Sequence, residues 1–154
     1  MGKKAKLPSY VKFKKDGVEY ISNADRCNYL ITELTRAALR DVAKYIVRLT
    51  KAKIPKKTGE ARKAVQYWIP KGDKQAYVGY KWYDKRKGKI IRGFYSAFFE
   101  RGEGKMPRLN ALYNSTFDNI EEIRKIEAQY LSAIEIESEA LELIDEEEQT
   151  SDDE

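Results

Sequence analysis

Residues 22 to 55 read SNADRCNYLITELTRAALRDVAKYIVRLTKAKIP, and this stretch decides the fold. Cys27, Leu30, Leu34, Ala38, Val42, Tyr45 and Leu49 recur at steps of three and four, the spacing of one apolar stripe on a helix. Arg36, Arg40, Lys44, Arg48 and Lys51 form the opposite stripe at the same period. Ser22 can accept a hydrogen bond from a free N–H of the first turn, where Asp25 meets the positive end of the dipole. Pro55 ends the helix near Ile54, because it has no N–H to give and restricts the residue before it.

Toward the N-terminus, YVKFKKDGVEYI (residues 10 to 21) alternates apolar and polar residues around Lys15-Asp16-Gly17, which predicts a two-stranded hairpin. Toward the C-terminus, Thr58 is a candidate N-cap for a short turn through Arg62, with Gly59 allowing close backbone approach and Glu60 in the first turn. The period then changes to two. Residues 64 to 69 predict a strand, Pro70-Lys71-Gly72-Asp73 a turn, and residues 75 to 82 its antiparallel partner. Charges crowd around Gly88 from Asp84 to Lys89, as in a projecting loop tip, and residues 90 to 99 predict a strand or an irregular segment under the sheet.

A second long helix is predicted from Pro107, a residue suited to a first turn. Its apolar face would be Leu109, Leu112, Tyr113, Thr116, Phe117, Ile120, Ile123, Ile126, Tyr130 and Ile134, with Leu141 and Ile144 continuing the spacing. The expected fold is α+β: a long amphipathic helix and a second C-terminal helix packed on a small antiparallel β-sheet. Residues 1–136 would form a single domain, and residues 137–154 an acidic tail or helix extension.

Composition narrows the chemistry. Cys27 is the one cysteine of 154 residues and histidine is absent, so neither a disulfide within the chain nor a cysteine or histidine metal site is expected, and no Ser-His or Cys-His nucleophile. No apolar run reaches the roughly 20 residues that span a bilayer, and MGKKAKLPSY lacks the apolar core of a signal peptide, so a soluble protein of the reducing cytosol is expected. Net charge is divided unevenly. Residues 1 to 117 hold 28 Lys and Arg against 10 Asp and Glu, or +18, and residues 118 to 154 hold 2 against 15, or −13. A polyanion or acidic surface suits the body, and a basic partner suits the end.

Few residues could do catalysis. Glu100 and Glu103 near Lys105 resemble a nuclease pair, but with no further acidic cluster they read as structural, and no phosphate-cradling glycine motif occurs. Neither enzyme activity nor a cofactor or metal is expected. Eleven tyrosines and two tryptophans could stack on bases, but their alternating and helical positions assign most of them to the core. Cations gather in three sets: the helix stripe, the corner of Lys56, Lys57, Arg62 and Lys63, and the loop of Lys85, Arg86, Lys87, Lys89 and Arg92. With no base-reading motif present, such cations would meet backbone phosphates or an acidic neighbour.

The order of the pieces resembles a known family. Pro55, Thr58, Gly59, Arg62, Ala64 and Val65 follow the long basic helix, then Ala76, Tyr77, Val78 and Gly79, then Phe94, Tyr95, Phe98, Glu100, Gly102, Met106 and Pro107. This succession is similar to the tailed-bacteriophage family typified by protein ten of phage HK97, the neck, head-tail joining or tail completion proteins. The likeness covers about residues 22 to 120; Arg101, Glu103 and Arg108-Leu109-Asn110 depart from the family's pattern.

The resemblance implies an α+β virion subunit, assembled in the host cytoplasm into a homo-oligomeric ring at the neck, between neighbouring head-completion or connector and tail terminator proteins. Double-stranded DNA would pass through the ring and meet its Lys and Arg through backbone phosphates, with no membrane involved. The alternative is a small nucleic-acid-binding module without sequence preference.

Overall fold

The structure, a computed structural model, describes residues 7–56, 59–70, 73–81, 83–84, 88–90, 95–102, 108–136 and 139–144. It is α+β. Among these residues the order is β1 (Val11–Lys15), β2 (Val18–Ser22), α1 (Ala24–Lys53), α2 (Glu60–Ala64), β3 (Val65–Trp68), β4 (Tyr77–Tyr80), β5 (Tyr83–Asp84), β6 (Lys89–Ile90), α3 (Ser96–Arg101), α4 (Ala111–Phe117) and α5 (Ile120–Ser132). A 3-10 turn, Ala133–Glu135, follows α5, and residues 139–144 are helical. The expected single sheet is instead three separate antiparallel ribbons, β1-β2, β3-β4 and β5-β6.

Contacts divide the chain into two compact units, one within Met1–Ala38 and Ile126–Glu154, the other within Leu39–Lys125. The core of the first is Leu34, Ala37, Tyr130, Ala140 and Ile144, with Leu30, Ala38, Ile126 and Leu143 packed on it. The segment expected to be a tail or helix extension therefore supplies two buried side chains, Ala140 and Ile144. The core of the second unit is Val47, Ile54, Ala61, Val65 and Ala111, joined by Tyr67, Val78, Tyr80, Tyr95 and Leu109.

Helix α1 does not bury the predicted stripe. Its buried residues are Leu34, Ala37, Ala43, Ile46, Val47 and Thr50, with Ile54 buried just past its end; Cys27 is exposed, and Leu30, Ala38, Val42, Tyr45 and Leu49 are half-buried. Burial does not keep its three-four spacing from Ala37 to Ala43, because each unit covers its own stretch of the helix. The buried Thr50 hydroxyl donates to the Ile46 carbonyl at 2.8 Å, which lets a polar side chain lie in that core.

The β1-β2 turn is as expected. Asp16 and Gly17 both have positive φ, 52° and 80°, as a two-residue turn between right-twisted strands requires. Strands β3 and β4 are shorter than predicted and pair Val65 with Tyr80 and Trp68 with Tyr77. Their alternation puts Val65, Tyr67, Val78 and Tyr80 against the core, and Gln66 and Trp68 outside with Tyr77.

Three predicted elements are corrected. Gly59, not Thr58, precedes α2, in the left-handed region at φ 78° with no side-chain cap. Residues 96 to 99, within the stretch 90 to 99 expected to be strand or irregular, belong to α3. The second long helix is two helices. It starts at Ala111, because Asn110 is left-handed at φ 46°, and it breaks at Asp118 and Asn119. Of its predicted apolar face, Ile123 and Tyr130 are buried, whereas Tyr113, Phe117, Ile120 and Ile134 are exposed.

Candidate interface at the helix-sheet corner

The end of α1 is closed by side chains. Its last carbonyls have no helical partner. Arg62, one turn into α2, donates its Nε to the Ile54 carbonyl oxygen at 2.9 Å. Gly59 makes this return possible: its positive φ turns the chain where an L side chain would be strained, and the Lys63 N–H donates to its carbonyl at 3.1 Å. Lys63 Nζ is 3.2 Å from Glu60 Oε1, and Lys53 Nζ lies 3.1 Å from Asp118 Oδ2. Lys56 and Pro55 are exposed.

Of the predicted corner cations, then, Arg62 turns its Nε inward and Lys63 has a carboxylate neighbour on its own helix. Lys57 and Thr58 lie outside the described residues, as do Lys85, Arg86, Lys87 and Arg92 of the basic loop. Lys89 is known by its backbone, which pairs with Asp84 in the β5-β6 ribbon. Asp84 and Lys89 bracket in sequence the stretch where a projecting cationic tip is predicted.

Glu100 sits at the centre of the second unit's polar contacts. Its Oε1 accepts a hydrogen bond from the Tyr80 hydroxyl at 2.6 Å and another from the backbone N–H of Leu112, in the first turn of α4. One carboxylate thus ties α3 to β4 and satisfies a free donor at a helix start. Burial, then the hydrogen bond to Glu100 and its negative charge, pushes the Tyr80 phenol well above its ordinary value of 10.0. Glu103 and Lys105 lie outside the described residues. Among those described, no group of three or more acidic or cysteine side chains could hold a metal ion.

The remaining motif residues have structural places. Gly102 closes α3 at φ 75°, its N–H donating to the Phe98 carbonyl at 2.7 Å. A Cβ there would come within 2.7 Å of Arg108 Cβ and 3.2 Å of its backbone, a close approach that only glycine allows. Tyr95 packs on the second core. Tyr77 lies on the outer face of the ribbon, stacked on Trp68 with ring centroids 5.7 Å apart. A Cβ on Gly79 would touch the same indole at 3.4 Å. Met106 and Pro107 lie outside the described residues.

Sequence reasoning placed most aromatic side chains in the core, and the structure divides them. Tyr67, Tyr80, Tyr95 and Tyr130 belong to the two cores. Phe13 with Tyr20, Trp68 with Tyr77, and Tyr113 with Phe117 form stacked pairs on the surface. Period-two patterning fixes which residues share a face, but both faces of β1-β2 are exposed, and patterning alone carries no sign of that. Comparisons with protein families, with curated proteins and with solved structures return no match for this chain. No helix among the described residues is long and apolar enough to cross a membrane.

Proposed function

We propose that this chain is a structural subunit of a bacteriophage neck, a head-tail connector or tail completion ring that the double-stranded genome passes through. The observation that carries this reading is the charge division, +18 over residues 1 to 117 and −13 over residues 118 to 154. A ring made head to tail brings the acidic end of one subunit to the basic body of the next, and leaves a surplus of cations to line a passage for phosphates. Contacts with phosphate alone hold DNA without fixing its register, so the duplex can slide. The motif residues support the same reading. Glu100 and Gly102 are engaged in holding α3, β4 and α4 together, which is the work of a scaffold.

Electron microscopy of the purified protein, alone and with portal-side and tail-side proteins of the same particle, tests the proposal. Closed rings are expected. A chain that stays monomeric with those proteins present overturns it.

The exposed Trp68-Tyr77 stack favours a second reading, a nucleic-acid-binding module that acts as a monomer. Its signature is duplex or single-strand binding by the monomer that falls steeply with salt. Under this reading Lys85→Glu/Arg86→Glu/Lys87→Glu abolishes binding. Under the ring reading DNA is retained only by the assembly.

A further inference from the structure

All ten residues of β1 and β2 are exposed. A lone two-stranded ribbon is marginally stable in water, and this one has an unusually apolar face. The register sets Val11, Phe13, Val18 and Tyr20 on one side, where they are 51%, 54%, 52% and 48% exposed, and Phe13 stacks on Tyr20 with centroids 5.0 Å apart. Lys15 shares that side, and Lys12 and Lys14 occupy the other. An apolar patch with a cation at its turn end calls for a partner that is apolar with a carboxylate beside it.

The same chain carries such a surface at the end of α5. Leu131 is 65% exposed, and Ile134 and Ile136 beside it are also exposed. Glu127, four residues before Leu131 on α5, places an exposed acid one helical turn from it. The acidic run from residue 145 to 154 offers charge but no apolar side chain, so it could not cover Phe13 and Tyr20. Hairpin and α5 end are both open within one chain, so a contact between them is a contact between copies.

We propose that the β1-β2 hairpin of one copy docks by its Phe13-Tyr20 face on the α5 end of the next, around Leu131, with Lys15 facing Glu127. The two surfaces differ, so the contact is head to tail and each copy keeps one of each free for a neighbour; such a series closes into a ring or runs on as a filament. The inference rests on the ring reading, in that it names the contact between ring neighbours.

Native mass spectrometry and sedimentation of the full chain test it. Phe13→Glu/Tyr20→Glu, and separately Leu131→Glu, should raise the concentration needed for assembly about tenfold or more, with far-ultraviolet circular dichroism unchanged. Two charge reversals remove any doubt about folding. Lys15→Glu and Glu127→Lys should each assemble poorly alone and recover when mixed, because the reversed hairpin then meets the reversed helix. Variants that assemble like the wild type, or a mixture that does not recover, overturn this contact and leave the ring standing. Loss of assembly on deleting residues 145 to 154 but not in Leu131→Glu assigns the hairpin to the tail and overturns it too. A wild-type chain that is monomeric at every concentration overturns the contact, and one that stays monomeric with the portal-side and tail-side proteins present overturns the ring as well.

Discussion

Arg62 and Ile54 are eight residues apart, and the Arg62 Nε donates to the Ile54 carbonyl oxygen at 2.9 Å across the corner between α1 and α2. A cation placed on the last free carbonyls of a helix satisfies an acceptor and meets the negative end of the dipole. Arg62→Met keeps the aliphatic stem and removes the donor. Chemical denaturation should show a loss of about 1–3 kcal/mol, with Arg62→Lys intermediate. No loss would mean that water replaces the guanidinium at the corner without penalty.

Glu100 accepts from two donors that have no other partner described, the Tyr80 hydroxyl and the Leu112 N–H. Glu100→Ala leaves both in a half-buried place and should lower stability by about 2–4 kcal/mol, whereas Glu100→Gln keeps a carbonyl acceptor and should lose less. Equal losses in the two variants would place the cost in the charge alone.

Tyr80 links stability to pH. Its phenol is raised in the folded chain above the 10.0 of a free tyrosine, so the folded state holds the proton more tightly than the unfolded state does. The stabilisation is fully present below that value and is lost as pH climbs above it. Thermal melts should show an alkaline decline that Tyr80→Phe reduces; an identical decline in both proteins would refute the link.

Gly102 and Gly59 make a matched pair. Both have positive φ, 75° and 78°, but only at Gly102 would a Cβ strike a neighbour, Arg108. Gly59→Ala should cost about 1 kcal/mol, the backbone penalty alone. Gly102→Ala should cost about 1–3 kcal/mol more, since Arg108 must move. Comparable denaturation midpoints for the two variants would show that the segment at Arg108 yields freely.

Leu34 on α1 and Ile54 just after its end, each 1% exposed, lie in different cores. Either truncation to alanine should cost about 2–5 kcal/mol. Because the two share no core neighbour, the double variant should lose the sum of the two to within about 0.5 kcal/mol. A markedly smaller loss would show that one core is not formed cooperatively with the other.

Local chemistry was the legible part of the fold. Asp16-Gly17 specifies a two-residue turn by its tolerance of positive φ, Pro55 stops α1, and the alternation of Val65 to Trp68 and Tyr77 to Tyr80 marks paired strands. The break in the second helix was less legible. Apolar residues continue at helical spacing across Asp118 and Asn119, so the period shows no interruption. There the Asn119 amide donates to the Ser115 carbonyl at 3.2 Å, its side-chain oxygen lies 3.4 Å from the Tyr45 hydroxyl, and Lys53 meets Asp118 at 3.1 Å. Contacts with distant parts of the chain shape that junction, and spacing does not encode them. Among the corner cations, Arg62 looked like the others; its bond to Ile54 arises because Gly59 reverses the chain.

By itself the sequence determined the β1-β2 turn, the long helix α1, the paired strands β3 and β4 and the partition of charge, because each depends on residues within a few positions or on simple counting. Which apolar side chains are covered was decided only by the tertiary structure. Val11, Phe13, Val18 and Tyr20 have the same pattern as a buried strand face, yet they stand open, while Ala140 and Ile144, from the acidic end, are enclosed. Burial depends on what the rest of the chain brings against a face, and hydrophobic periodicity names the face without naming the neighbour.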